Sequence, residues 1–349
     1  SPPGATMARP FKLPATILMR KALDRNMRRM QRCGMFQRIR NEFRTAMAAA
    51  ARSTLTEALE ADRPWLRLGS CLALAALLTA GALIAMVIIL AVAPGLELSG
   101  IMAENLPRTP TRLFDESAQV LFFSAVLGVV GLATLGAAAL TYRRRMTDFL
   151  WPGRRFAFDH LWIGFLVMTS LCVILIPFRL LSGRIWEPPI LDPQYLDESR
   201  VIYAVAMVGG LLVAAAAEEV AFRGVLLRLT AQATRHPLVL CLINGVIFSA
   251  IHLDPDPVAF VARATSGAIW TWAALRLGGL EFAIGAHLAN NLVIALLWRP
   301  FSEAAMSRQG AWTDLGPELF IAVVIVLFVE RLAPRSVEPP HELAPRPAA

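Results

Sequence analysis

The apolar residues of this chain gather into eight long blocks separated by short polar or charged stretches. The blocks run over about Leu68–Val92, Ala118–Tyr142, Leu161–Leu181, Val201–Leu227, Leu238–Leu253, Val258–Leu275, Phe282–Trp298 and Leu315–Val329. A run of roughly 17–25 apolar residues is long enough to cross about 30 Å of hydrocarbon as a helix. A helix is also one of the few structures that satisfies its own backbone polar groups there. The pattern predicts an all-α polytopic membrane protein of about eight transmembrane helices, with any site held in a cavity of the helical bundle. Composition agrees: 56% of the 349 residues are hydrophobic and the mean hydropathy is +0.54, against about 45–50% apolar in soluble domains. The first block lies too far along the chain for a cleavable signal peptide. The chain opens on Ser1, with Met7 the expected start.

Before the first block the pattern changes. Leu23, Met27 and Met30, then Phe36, Ile39, Phe43 and Met47, recur at spacings of three and four with arginines between them. That is the signature of basic amphipathic helices. Through Arg67 there are fourteen Lys or Arg against five Asp or Glu, a balance of +9 where the whole chain carries +8. We therefore divide the chain into a basic amphipathic cytoplasmic arm (1–66), a transmembrane helical domain (67–333) and a Pro-rich tail (334–349) expected to be disordered. Anionic lipid is the expected partner of the arm; packing on the protein's own loops is the alternative. Nucleic acid is excluded as a partner, because no recognised binding motif accompanies the charge.

Charge also orients the spans. Arg143, Arg144, Arg145, Arg154, Arg155, Arg228 and Arg235 mark cytoplasmic loops, whereas Glu97, Glu104, Asp115, Glu116, Glu187, Asp192, Asp197 and Glu198 mark external ones. Eight spans then put both termini in the cytoplasm. The near absence of lysine beyond Lys12 and Lys21 fits a GC-rich bacterial genome, and hence a bacterial cytoplasmic membrane. Cys33 lies in the arm; Cys71, Cys172 and Cys241 lie inside apolar blocks, so neither a disulfide framework nor a thiolate metal site is expected.

The chemistry is concentrated in three blocks. The fourth carries Glu218, Glu219 and Arg223, although a charge at mid-membrane costs at least about 2.5–3.5 kcal/mol and so usually marks a working site. Glu219 and Arg223 are four apart and can pair on one helical face. Glu218 is rotated by about 100° from that face, which leaves it a free carboxylate suited to general-base work. The bland alternative has both glutamates simply binding an arginine at the membrane border. The fifth block carries Asn244, Phe248 and His252 on one stripe, and the seventh carries His287, Asn290 and Asn291. Interhelical hydrogen bonding is the structural alternative for such His and Asn residues. A fourth–fifth hairpin turning near Arg235–His236–Pro237 brings Glu218 and His252 to nearly one depth. His287 follows its own turn at Gly278–Gly279 by only nine residues. It meets the other two only if the first hairpin extends a couple of turns beyond the membrane.

Taken in order, Glu218-Glu219-x-x-x-Arg223, Phe248-x-x-x-His252 and His287-x-x-x-Asn291 resemble the three motifs of the CAAX-protease and bacteriocin-processing family, also called the Abi family, over about Val201 to Trp298. The resemblance implies an intramembrane endopeptidase. Glu218 and His252 would activate water, and His287 and Asn291 would stabilise the oxyanion. Glu219 and Arg223 form the expected structural ion pair, and Asn244, Phe248 and Asn290 the expected cavity lining. The expected substrate is a membrane-associated peptide or protein. Two His and a Glu could hold zinc with an open position. Making Glu218 a ligand would remove the base, however, so a metal-free, cofactor-free mechanism is expected. A non-catalytic membrane scaffold or bacteriocin-immunity protein of the same fold is the alternative from another class, and a transporter with a proton relay is a second.

Overall fold

Every apolar block becomes a helix in the computed structural model of the chain, which describes residues 34–57, 59, 62–92, 106–181, 186–305 and 310–334. After α1 (34–51) come α2 (Pro64–Val92), α3 (Arg112–Tyr142), the short α4 (Thr147–Leu150) and α5 (Phe158–Leu181). Next, α6 (Asp197–Glu219) runs without a break through a π-helical stretch, Val220–Leu226, into α7 (Leu227–Thr230). The chain finishes with α8 (Pro237–Ala250), α9 (Pro257–Leu277), α10 (Glu281–Leu297), the short α11 (Phe301–Ala305) and α12 (Leu315–Leu332). No strand occurs among the described residues. Length and apolarity make this an integral membrane protein: α2, α3, α5 and the 34-residue Asp197–Thr230 segment could each cross a bilayer.

Two of the remaining blocks form helices shorter than a full span. At 14 residues, α8 is about 21 Å long, short of the hydrocarbon thickness, and α10 has 17 residues. The fifth block ends at Ala250 rather than Leu253, because two Asp-Pro pairs follow and each proline disfavours helix at the residue before it. The second of these pairs opens α9: the Asp256 side chain accepts from the N–H groups of Val258 and Ala259, with Pro257 at the first helical position. Gly278, at φ +68°, closes α9 in the left-handed conformation. At the other end of the bundle α3 begins before its apolar block. Arg112 and Glu116, 3% and 0% exposed, pair with each other, and Ser302 at the start of α11 donates to Glu116 at 2.6 Å. Glu116 is thus a buried tether and not the external loop residue expected from its charge.

The chain separates into two units, Ser1–Ala48 and Ala49–Ala349. Residues beyond 48 bury Leu55, Thr56 and Leu59, and the Thr54 carbonyl accepts a hydrogen bond from Arg228 Nη2 at 2.9 Å. Leu23, Met27, Met30, Cys33, the loop containing Glu97 and Glu104, and the tail from 335 lie outside the described residues.

Within the second unit α3, α6 and α10 share a core built from Leu113, Val120, Tyr203, Met207, Leu211, Leu288 and Leu292. Beside it α5 packs on α10, and α8 packs on α9, which packs in turn on α12. The α8–α9 contact depends on two glycines. A Cβ on Gly245 would lie 2.9 Å from the Ala268 nitrogen and closer still to the Ala264 carbonyl, and one on Gly267 would lie 2.9 Å from the Gly245 Cα. Small residues are what let membrane helices approach this closely.

Candidate active site

Helices α3, α5, α6, α9 and α10, with the end of α8 and the start of α12, line a cavity of about 940 Å³. Its largely apolar walls carry polar groups that include Glu218, His252, Arg263, His287, Asn290 and Asn291, with Arg299 and Glu318 also at the wall. The adjacent glutamates face different surroundings because consecutive helical residues point about 100° apart. The Glu218 side chain keeps 13% of its surface exposed. Its Oε2 has no hydrogen-bond partner among the described residues, and His287 Nε2 stands 3.9 Å away.

Glu219 points the other way and is fully buried, as is Arg223. Its Oε1 accepts from Arg223 Nη1 at 3.1 Å and lies 2.9 Å from His287 Nδ1. A carboxylate can only accept, so Nδ1 carries the proton and Nε2 is turned towards Glu218. The second guanidinium nitrogen, Nη2, donates to the Gly267 carbonyl at 3.0 Å. The guanidinium carbon sits 4.5 Å from the Phe248 ring centroid and 5.4 Å from that of Trp270, within cation–π range. Arg223 lies in the π-helical stretch, a feature that recurs at functional sites.

The two histidines share a neighbour. His287 stacks on Trp270 with centroids 4.3 Å apart and 25° between the planes. The Phe248 ring stands edge-on to His287 at 6.0 Å and to His252 at 5.0 Å. His252 lies in the turn past α8, exposed at the cavity, with Nδ1 2.8 Å from the Phe248 carbonyl. A carbonyl only accepts, so this bond too fixes the proton on Nδ1 and leaves Nε2 available. In α10, Asn290 Nδ2 donates to Asn291 Oδ1 at 3.2 Å, which leaves the Asn291 amide N–H groups as that side chain's donors.

Asn244 does not line the cavity. It is 0% exposed and donates to Thr230 Oγ1 at 3.1 Å and to the Leu240 carbonyl at 2.9 Å, tying α8 to the end of α7. The shared stripe with Phe248 misled, because the cavity takes only one end of α8. Sequence reasoning also missed three participants. Nothing polar flags Trp270 or the Gly267 carbonyl, whereas Arg263, ion-paired with Asp254 at 2.8 Å, carried the signal that any charge within an apolar block carries. His287 does meet the other two groups, Glu218 and His252: it lies 3.9 Å from Glu218 and shares the Phe248 ring with His252. Among the described residues, no group of three or more His, Cys, Asp or Glu is placed to hold a metal ion.

Residues 200–293 match the family model for the type II CAAX prenyl endopeptidase Rce1-like proteins, and this segment holds the polar groups just described. Over 169 residues the chain is 27% identical to the uncharacterized protein YyaK of Bacillus subtilis (strain 168), covering 46% of this chain and 54% of that protein. The chain thus spans about half the length of the curated relative it matches. No solved structure matches the chain significantly.

Proposed function

We propose that the chain is an intramembrane endopeptidase that cuts a membrane-associated peptide or protein with water activated by its own side chains. The observation that carries this reading is the Glu218 carboxylate in the cavity, whose Oε2 has no hydrogen-bond partner among the described residues and faces an imidazole whose other nitrogen is held by a buried carboxylate. A carboxylate in this position serves as a general base. Glu218, with His252 Nε2 beside the same cavity, takes a proton from water as its oxygen attacks the scissile carbonyl. Negative charge then develops on the carbonyl oxygen. The Asn291 amide donates to it, and His287 Nε2 is a second donor when that nitrogen carries a proton. As the C–N bond breaks, the proton held by Glu218 passes to the leaving amine and the carboxylate is regenerated.

The mechanism uses no metal. A zinc hydrolase needs three converging protein ligands besides its water. The need for Glu218 as the base supports a metal-free reading, as does the lack, among the described residues, of any group of three or more His, Cys, Asp or Glu placed to hold an ion. The match to the Rce1-like model supports the reaction class. The arginine-bearing loops support a cytoplasmic-membrane location with both termini inside.

The test compares the membrane peptides of cells making the wild-type chain with those of cells making Glu218→Gln, followed by assay of the purified protein in proteoliposomes. New peptide termini are expected with the wild type and absent with the variant. Activity is expected to survive a membrane-permeant chelator. Identical peptide profiles would turn the reading to a non-catalytic scaffold or immunity protein; loss on chelation with recovery on zinc would recast His252, His287 and Glu218 as ligands.

A further inference from the structure

Helix α1 carries an apolar face that no described residue of its own unit covers. Residues 34–45 are all exposed, with Met35, Phe36, Ile39 and Phe43 showing 52–67% of their surface. At about 100° per residue, these four side chains fall within an arc about 100° wide. Arg40 and Arg44 follow immediately on one border of the arc. On the other, Arg38 is paired with Glu42 at 3.0 Å. In proteins most of a helix's stability comes from packing its amphipathic face against a partner.

We infer that α1 lies on an anionic bilayer surface, with Met35, Phe36, Ile39 and Phe43 at the acyl boundary and Arg40 and Arg44 among the lipid headgroups. Two observations select this occupant. The chain up to Arg67 has fourteen basic against five acidic residues, the complement of a negatively charged leaflet. The first apolar span starts at Pro64, only thirteen residues after α1 ends, so the arm is tethered beside a membrane surface. An amphipathic helix with aromatic residues on one face and arginines on its flank binds such a surface through both terms at once.

The experiment follows amide hydrogen exchange over 34–48 in the full chain, reconstituted in nanodiscs of phosphatidylcholine alone or with 30% phosphatidylglycerol. Because one arginine near an anionic leaflet contributes about five-fold in partitioning, exchange is expected to slow by on the order of ten-fold or more in the anionic discs. That protection should fall in about 1 M salt, where the screening length is about 3 Å. It should also be lost in the paired substitution Phe36→Ser with Phe43→Ser, while exchange of α3 and α6 stays at wild-type values. Equal protection in both lipids would overturn the proposal in favour of packing on protein or neutral lipid. Absence of protection in either lipid would overturn it as well, as would protection unaffected by salt.

Discussion

Replacing Arg223 with methionine tests the electrostatic centre of the molecule. The guanidinium is fully buried and makes two hydrogen bonds, to Glu219 Oε1 at 3.1 Å and to the Gly267 carbonyl at 3.0 Å. Methionine fills most of its volume against Phe248 and Trp270, so the main loss is the positive charge beside a buried carboxylate. Breaking a buried pair by removing one partner costs about 3–5 kcal/mol. For a bundle of this size each kcal/mol corresponds to about 2–4 °C, so the melting temperature should fall by on the order of 10 °C. Thermal unfolding of the purified protein in detergent, followed by circular dichroism, gives the value. The paired substitution Glu219→Gln with Arg223→Met removes both charges and keeps an oxygen to accept from His287. Because exchanging a buried pair for neutral groups is often close to neutral, the double variant should recover at least half of the loss. Wild-type melting of Arg223→Met, or a double variant that melts no higher than the single one, would refute the reasoning.

Three further outcomes follow. Glu218→Gln should abolish cleavage while melting within a few degrees of wild type, since the carboxylate's Oε2 has no hydrogen-bond partner among the described residues to lose; retained cleavage in proteoliposomes would remove it as the base. Asn291→Ala should lower kcat by about 10²–10³, the usual effect of losing one oxyanion donor, and single-turnover assays would show whether the loss lies in the chemical step. Asn244→Ala should instead cost about 1–2 kcal/mol of stability by breaking its bonds to Thr230 and Leu240, with cleavage per folded molecule unchanged; a selective loss of activity would return Asn244 to the cavity.

The helices were legible because lipid imposes a length and a composition on them, and both are written directly in the sequence. Their ends were less so. Glu116 looked like a loop residue because a buried carboxylate has the same composition as an exposed one; only its partners, Arg112 and, on the far side of the sequence, Ser302, show the difference. The different surroundings of Glu218 and Glu219 followed from helical geometry, which fixes the angle between neighbours whatever surrounds them. The bond from His287 to Glu219 did not follow, because it depends on how far one hairpin slides past another. Asn244 was placed wrongly for a related reason: a stripe specifies a direction around a helix and says nothing about where along it the cavity ends. The π-helical stretch around Arg223 left no mark in the residue types at all.

The contact between Gly245 and Gly267 gives the site an unusual gauge. The Gly267 carbonyl that receives Arg223 is held at its distance by the lack of a side chain on the opposing helix. A single methyl group at position 245 would wedge α8 from α9 and carry that carbonyl away from the guanidinium, although no polar atom had been touched. Registration of the charged groups is thereby set by the smallest residue in the vicinity, one that bears no chemistry of its own.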